Sequence, residues 1–400
     1  AEKVAALRRE LALLRSELDV VQLAGSKAKA GPVDHLAATS LRQLQDSVAP
    51  DTALVTWLPG EERSWIWCIT QRRASAYVLA GRRNLEEAAR TLYARWSNPI
   101  SSADLEAERR MSRALLGDAA ECLQGERNIH VVAEGALRSI PVGALWLTEG
   151  GGSAQRIVER HLVSYRTSLT SHRPGFSRTN DASSRAILLV GDPELKDPRA
   201  TPLASDRQRG SAGLMYRDLR ALPGAARELA AIEGLAKGWQ AVSLVRERAT
   251  RDAFLAESLG KFRVIHFATH ALLDVHDPQL SALILSGGSA LNLRDVMSLR
   301  LETEAVVLGA CEASLGKQYR GQLSLGLSEA FLFAGAQNVL GSLWPVSDDA
   351  TMSYMRSFYQ RYVRQGLTPS AAAQAAALEI VQNSRYRHPF YWAAFVNLTT

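Results

Sequence analysis

Four short apolar runs in the second half of the chain restrict its fold more than any other feature. "RAILLVG" (185–191), "FRVIHFATHA" (262–271), "EAVVLGA" (304–310) and "QNVLGSLW" (337–344) are rich in apolar residues. Strands of that kind are buried on both faces, as in sheets whose crossovers are helices. Stretches with helical spacing lie between them. "PGAARELAAIEGLA" (223–236) opens on Pro, and "TRDAFLAESL" (250–259) opens on a Thr cap. "NLRDVMSL" (292–299) and "LSLGLSEAFLFAGA" (323–336) follow, then "DDATMSYMRSFYQRYVRQG" (348–366), with acids at its start and Gly at its end. "AVSLVRE" and "SALILS" read as further strands, "SAAAQAAALEIV" as a helix and "FYWAAFVNL" as a last strand. The alternation predicts an α/β fold with a mostly parallel sheet and helices on both faces.

The first half has a different texture. Val4, Leu7, Leu11, Leu14, Leu18 and Val21 form an a/d seam, read either as one helix packed on its own protein or as the end of a longer helical region or dimer contact. Residues 1–24 are thus an amphipathic helix and 25–49 a linker. "ALVTWL", a Pro59-Gly60 turn, "SWIWCIT" and "AYVLA" predict a strand meander. Helices are expected at about 84–95 and 102–124, then a strand at "NIHVVAE" and a buried turn at "SIPVGALWL". This smaller α/β half covers 50–175, and the larger one covers 185–400.

Composition narrows the function classes. The chain is 400 residues long with a net charge of +6, and its arginines are scattered, so nucleic acid enters only indirectly if at all. No apolar stretch approaches the ~20 residues of a membrane span. The chain opens on charged residues without Met, and reads as a piece of a longer protein with no signal peptide. Cys68, Cys122 and Cys311 are its three cysteines, an odd and low count that predicts no disulfide framework and a reducing, cytoplasmic setting. Cys68 reads as a strand filler.

In open α/β sheets, chemistry collects beyond the carboxyl ends of the strands. His270 follows "RVIHFAT" and Cys311 follows "AVVLGA", each just past an apolar run. If those strands are neighbours, a thiol and an imidazole share one rim, which with a backbone N–H is enough for nucleophilic catalysis. An inert buried thiol and a satisfied loop histidine are the other readings, and the residues alone leave both open. His266 reads as a satisfied strand residue. In a strand, positions i and i+4 lie about 13 Å apart, so His266 and His270 cannot share a metal ion. "GACEASLGKQ" mimics a phosphate loop, but its spacing is too long and Gln318 stands where magnesium needs Ser or Thr.

"HFATHA", "VVLGACEAS", "GLSEAFLFAGAQNVLGSLWPVSDDAT", "SFYQRYVRQG" and "HPFYWAAFV" occur in that order, preceded by "VVAEGALRSIPVGAL" (131–145) and "LPGAARELAAI" (222–232). Together they resemble the CHAT domain, a caspase-like cysteine protease module of clan CD, related to separases and often found after TPR repeats. The resemblance covers about residues 50 to 400. It implies a Cys311 nucleophile, a His270 base and an oxyanion hole from the N–H groups of Ala271 and Cys311. Ala271 stands where the family usually has Gly, and Gly309 where it usually has Ser. "GSLW" (341–344) would pair with an extended substrate, with Ser342 and Trp344 among the contacts. Asp348 would face a basic P1 residue, Arg over Lys; its other reading is a cap for the helix that follows.

The resemblance further implies that 50–175 is an inactive, bracing half and that an upstream helical or TPR region holds the enzyme silent until a partner arrives. Arg199, Arg207, Arg209, Arg217 and Arg220 make the 194–220 loop a candidate for self-cleavage. No metal or organic cofactor is implied, and no membrane. The expected function is a cysteine endopeptidase acting on protein substrates; the alternative is a catalytically silent scaffold of the same fold.

Overall fold

The computed structural model describes residues 40–101, 104–147, 154–169, 185–195, 219, 221–272, 281–309 and 323–400. The heptad seam, Cys311 and nearly all of the 194–220 loop lie outside the described residues.

One large sheet organises the chain. Its first half contains β1 (Thr52–Leu58), β2 (Arg63–Ile69), β3 (Ala74–Ala80), β4 (Asn128–Val132) and, after the two-residue hairpin of β5 (Trp146–Leu147) and β6 (Gln155–Arg156), β7 (Leu162–Tyr165). Its second half contains β8 (Ala186–Pro193), β9 (Gln240–Arg246), β10 (Val264–Ala268), β14 (Ala305–Leu308), β15 (Asn338–Ser342) and β16 (Phe395–Thr399). Among the described residues its eleven strands run in the order β3-β2-β1-β4-β7-β16-β15-β14-β10-β8-β9. β9, β8, β10, β14 and β15 run parallel to one another, as the apolar runs predict. β16 turns back antiparallel on β15 and joins β7 in parallel, so the sheet continues from one half into the other.

Helices cover both faces. Among the described residues, the α-helices longer than a single turn are α1 (Leu41–Ser47), α2 (Arg82–Trp96), α3 (Leu105–Leu116), α4 (Pro223–Leu235), α5 (Arg251–Ala256), α6 (Leu293–Ser298), α7 (Leu323–Ala334), α8 (Asp348–Tyr359) and α9 (Pro369–Gln382). The alternation of side chains along β10 sorts them. Phe267 meets Phe254 of α5 and Phe331 of α7, with ring centroids 5.4 and 5.5 Å away. His266, on the opposite face, meets Tyr359 of α8 and Glu228 of α4.

Three expectations need correction. Leu41–Ser47, inside the presumed linker, is a helix with a Ser40–Gln43 capping box, and its Leu44 packs on Leu54 and Ile69 of the sheet. "SALILS" is not part of the main sheet. β12 (Ala282–Ile284) pairs antiparallel with β11 (Ala271–Leu272) and β13 (Ala290–Asn292) in a separate three-stranded sheet. Finally, Cys68 and Cys122 form a disulfide, their Cα atoms 6.3 Å apart. Cys68 lies on the core side of β2, and the helical turn Ala120–Leu123 brings Cys122 onto it. An odd cysteine count does not prevent one pair from forming, so it gives no argument about redox compartment.

The motif that precedes β7 has a structural task. The Tyr165 hydroxyl donates to Ile140 O at 2.8 Å and accepts from Val142 N–H at 2.7 Å, fixing the "SIPVGAL" turn. On α9, Gln374 donates to Val158 O and His161 O, and Ser370 accepts from Asn397 of β16. These contacts pin the β7–β16 seam where the halves meet.

Candidate active site

β10 and β14 are adjacent and parallel, with Phe267 paired to Leu308. His270 comes three residues after Phe267, and Cys311 three residues after Leu308. The two residues singled out in the sequence are thus the same number of steps past one paired couple, at the carboxyl ends of neighbouring strands. Gly309 N–H donates to Phe267 O at 2.9 Å and carries the pairing one residue further. His270 is fully buried at this rim.

The loop after β10 is held by the small sheet. Ile284 N–H donates to His270 O at 2.8 Å, and the Thr269 hydroxyl donates to Ile284 O. That makes Ala271 and Leu283 a non-hydrogen-bonded antiparallel pair, so the Ala271 N–H points away from β12. Ala271 sits in extended backbone within β11, not in the positive-φ region, so the exchange of Gly for Ala there costs no backbone strain.

β15 ends at the same rim. Its pairing to β14 stops at Leu340, while Gly341 and Ser342 stay paired to β16 on the other side. Leu343 N–H donates to Ala394 O at 2.9 Å. Trp344 is buried. Its indole N–H donates to Phe390 O at 3.0 Å, and its ring meets Tyr93 edge-on at 5.6 Å. Its side chain is therefore committed to the fold, which leaves backbone as the means by which position 344 can meet a ligand.

Asp348 is the first residue of α8. Ser347 holds the N-cap position without a side-chain cap bond, so Asp348 is not the cap that the sequence offered as its alternative role. Its carboxylate reaches toward Gly224 on α4 and lines a pocket with Leu222, Glu228, Gly309 and Ser342. Asp348 and Ser342 are thus together, at the ends of β14 and β15.

Glu228 is the residue that the sequence reading missed; His266, read there as a satisfied strand residue, is its buried neighbour. Glu228 Oε1 is 3.0 Å from His266 Nε2, and His266 Nδ1 is 3.0 Å from the Tyr359 hydroxyl. Burial holds that hydroxyl well above the ordinary phenol range, so it remains a donor. One signal was available: in "LPGAARELAAI", Gly224 and Glu228 are i and i+4, on one helix face. Among the described residues, no cluster of three or more His, Cys, Asp or Glu side chains offers a metal site.

Residues 86–399 match the family profile described as the CHAT domain, well over half the chain. The chain belongs to the CHAT-domain family. Human tetratricopeptide repeat protein 28 is 38% identical over 120 residues, which are 30% of this CHAT chain and 4% of that protein. The mouse protein of the same name is 36% identical over 119 residues, again 4% of its length. Among solved structures, the Saccharomyces cerevisiae separase–securin complex aligns over 90% of the CHAT chain and 31% of its own, at 11% identity and TM-score 0.47. The Arg-specific cysteine proteinase gingipain R aligns over 79% and 73%, at 8% identity and TM-score 0.41.

Proposed function

We propose that this CHAT chain is a cysteine endopeptidase with Cys311 as nucleophile and His270 as its base. The observation that carries the reading is the β10–β14 register, with His270 and Cys311 equally far past Phe267 and Leu308. In this mechanism His270 takes the thiol proton and the thiolate attacks the scissile carbonyl. The N–H groups of Ala271 and Cys311 stabilise the oxyanion. His270 then protonates the leaving amine, and water hydrolyses the acyl-enzyme with His270 as base.

The substrate lies extended along the exposed end of β15, pairing with backbone at Gly341–Leu343. Asp348 faces a basic P1 side chain, Arg in preference to Lys. Residues 50–175 brace the catalytic half, and a helical or TPR region upstream controls it on contact with a protein partner. The name of the curated relatives supports that partnership. The 194–220 loop is a self-cleavage segment, which a gel comparison of wild type and Cys311→Ala tests.

The main test is a peptide library with varied P1. The account predicts cleavage after Arg by wild type, and none by Cys311→Ala or His270→Ala. Cleavage that persists in Cys311→Ala contradicts it.

A further inference from the structure

The reading above gives the P1 site one acid, Asp348. We propose that Glu228 is a second and deeper determinant of the same pocket, and that the two carboxylates together select a guanidinium over an ammonium. The inference rests on the endopeptidase reading for what presents the guanidinium; the pocket is argued from its own residues.

Glu228 is only 3% exposed, yet it belongs to the pocket lining together with Asp348. Its Oε1 is buried and receives no hydrogen bond among the described residues. His266 Nε2 is close, at 3.0 Å, but not aligned to donate. A buried carboxylate oxygen without a donor is costly unless a ligand completes it. Among the described residues, the pocket lining contains no Lys or Arg that does so.

The backbone is shaped to keep both carboxylates in place. A Cβ at Gly309 would come under 3.0 Å from Glu228 Oε1, and one at Gly224 under 3.0 Å from Asp348 Oδ2. Gly224, against which the Asp348 carboxylate lies, and Glu228 are one turn apart on α4, so both acids border the same helix and the same pocket. Behind the deeper one lies His266, which is hydrogen-bonded in turn to Tyr359. Leu222, Val346 and Phe395 line the pocket with apolar surface that suits the methylene stem of a long cationic side chain.

Two acids at different depths distinguish the two basic side chains. A planar guanidinium has five donors in a fork and bridges two carboxylates at once. An ammonium is a compact point charge that satisfies one of them and stays hydrated.

The test is calorimetric titration of the whole chain with n-butylguanidinium and n-pentylammonium, which carry one positive charge each. Wild type is expected to bind the guanidinium more tightly. Glu228→Gln and Asp348→Asn should each weaken it about tenfold or more, the loss of one charge-assisted hydrogen bond. Glu228→Gln should also shrink the preference over the ammonium. Glu228→Asp keeps the charge but withdraws it from the pocket. It should act in the same direction, and it serves if Glu228→Gln melts. Failure of wild type to bind, or unchanged binding in folded Glu228 variants, overturns the proposal. Cleavage after Arg that is indifferent to Glu228 refutes this inference alone. Glu228-dependent guanidinium binding without any peptide cleavage refutes the endopeptidase reading and leaves the pocket standing.

Discussion

Arg138, in the 3-10 turn Gly135–Ser139 of the first half, is ion-paired with Glu329 on α7 of the second. The pair joins two of the motifs that carried the family resemblance, "VVAEGALRSIPVGAL" and "GLSEAFLFAGA". α7 begins twelve residues after Cys311 in the sequence. Both side chains are about one-third exposed, so the pair contributes little to stability, of order 0–1 kcal/mol. Arg138→Gln and Glu329→Gln should therefore shift a denaturant midpoint only slightly. If the pair positions α7 for catalysis, each should slow peptide cleavage, and the double variant should be no slower than either. Additive losses would show that the two residues act separately.

A buried ion pair makes the opposite prediction. Arg156 contacts Glu108 at 3.0 Å, with side-chain exposures of 9% and 3%. Its guanidinium lies 4.3 Å from the Trp146 ring centroid and 5.6 Å from that of Trp392, in the "HPFYWAAFV" segment. Glu108 also accepts from the Trp146 indole. Glu108→Gln would leave the guanidinium buried without its counter-charge and should cost about 3–5 kcal/mol. Equilibrium unfolding in urea measures it, and a loss below 1 kcal/mol would mean that solvent reaches Arg156.

The disulfide sets the thiol count. Cys68 and Cys122 are buried and bonded, so native alkylation of the oxidised protein should leave both unmodified. Alkylation after reduction and denaturation should modify three. The bond closes a separation of 54 residues, and its removal by Cys122→Ser should destabilise the fold by about 2–5 kcal/mol. Three modified cysteines in the native, unreduced protein would show that the pair is not formed.

His130 gives the fold an acid limit. Burial, with a smaller contribution from nearby Arg166, lowers its pKa to about 4. The folded state thus prefers the neutral ring, while the unfolded chain protonates near the ordinary 6.5. The unfolded state binds more protons in that window, so stability is complete above about pH 6.5 and falls as pH drops toward 4. His130→Gln should flatten the melting temperature across that range. An unchanged slope would assign the acid loss to other groups.

The order of elements in the second half was legible because each strand is a nearly unbroken apolar run and each helix has its own punctuation. Thr250 and Pro223 both stand where the sequence put a helix start. Sequence failed where distant segments decide the outcome. "SALILS" is as apolar as a main-sheet strand, but it pairs with Ala271–Leu272 and not with β8 or β14. Residues 41–47 look like linker until Leu54, Ile69 and Val132 provide a surface for Leu44 and Val48. His270 could be singled out because it follows an apolar run. Glu228 had only its i, i+4 spacing from Gly224 to mark it, since a Glu in an Ala-rich helix reads as solvated until α8 and β10 bury it.

The measurement that bears most directly on the central claim is active-site labelling read by mass spectrometry. Wild type, Cys311→Ala and His270→Ala are treated with an Arg-chloromethylketone and with its Leu analogue, and the adduct is mapped. The account predicts one adduct, on Cys311, formed faster with Arg than with Leu and lost in the His270 variant. Equal labelling of Cys311 in wild type and His270→Ala, or an adduct on another residue, would contradict the Cys311–His270 dyad.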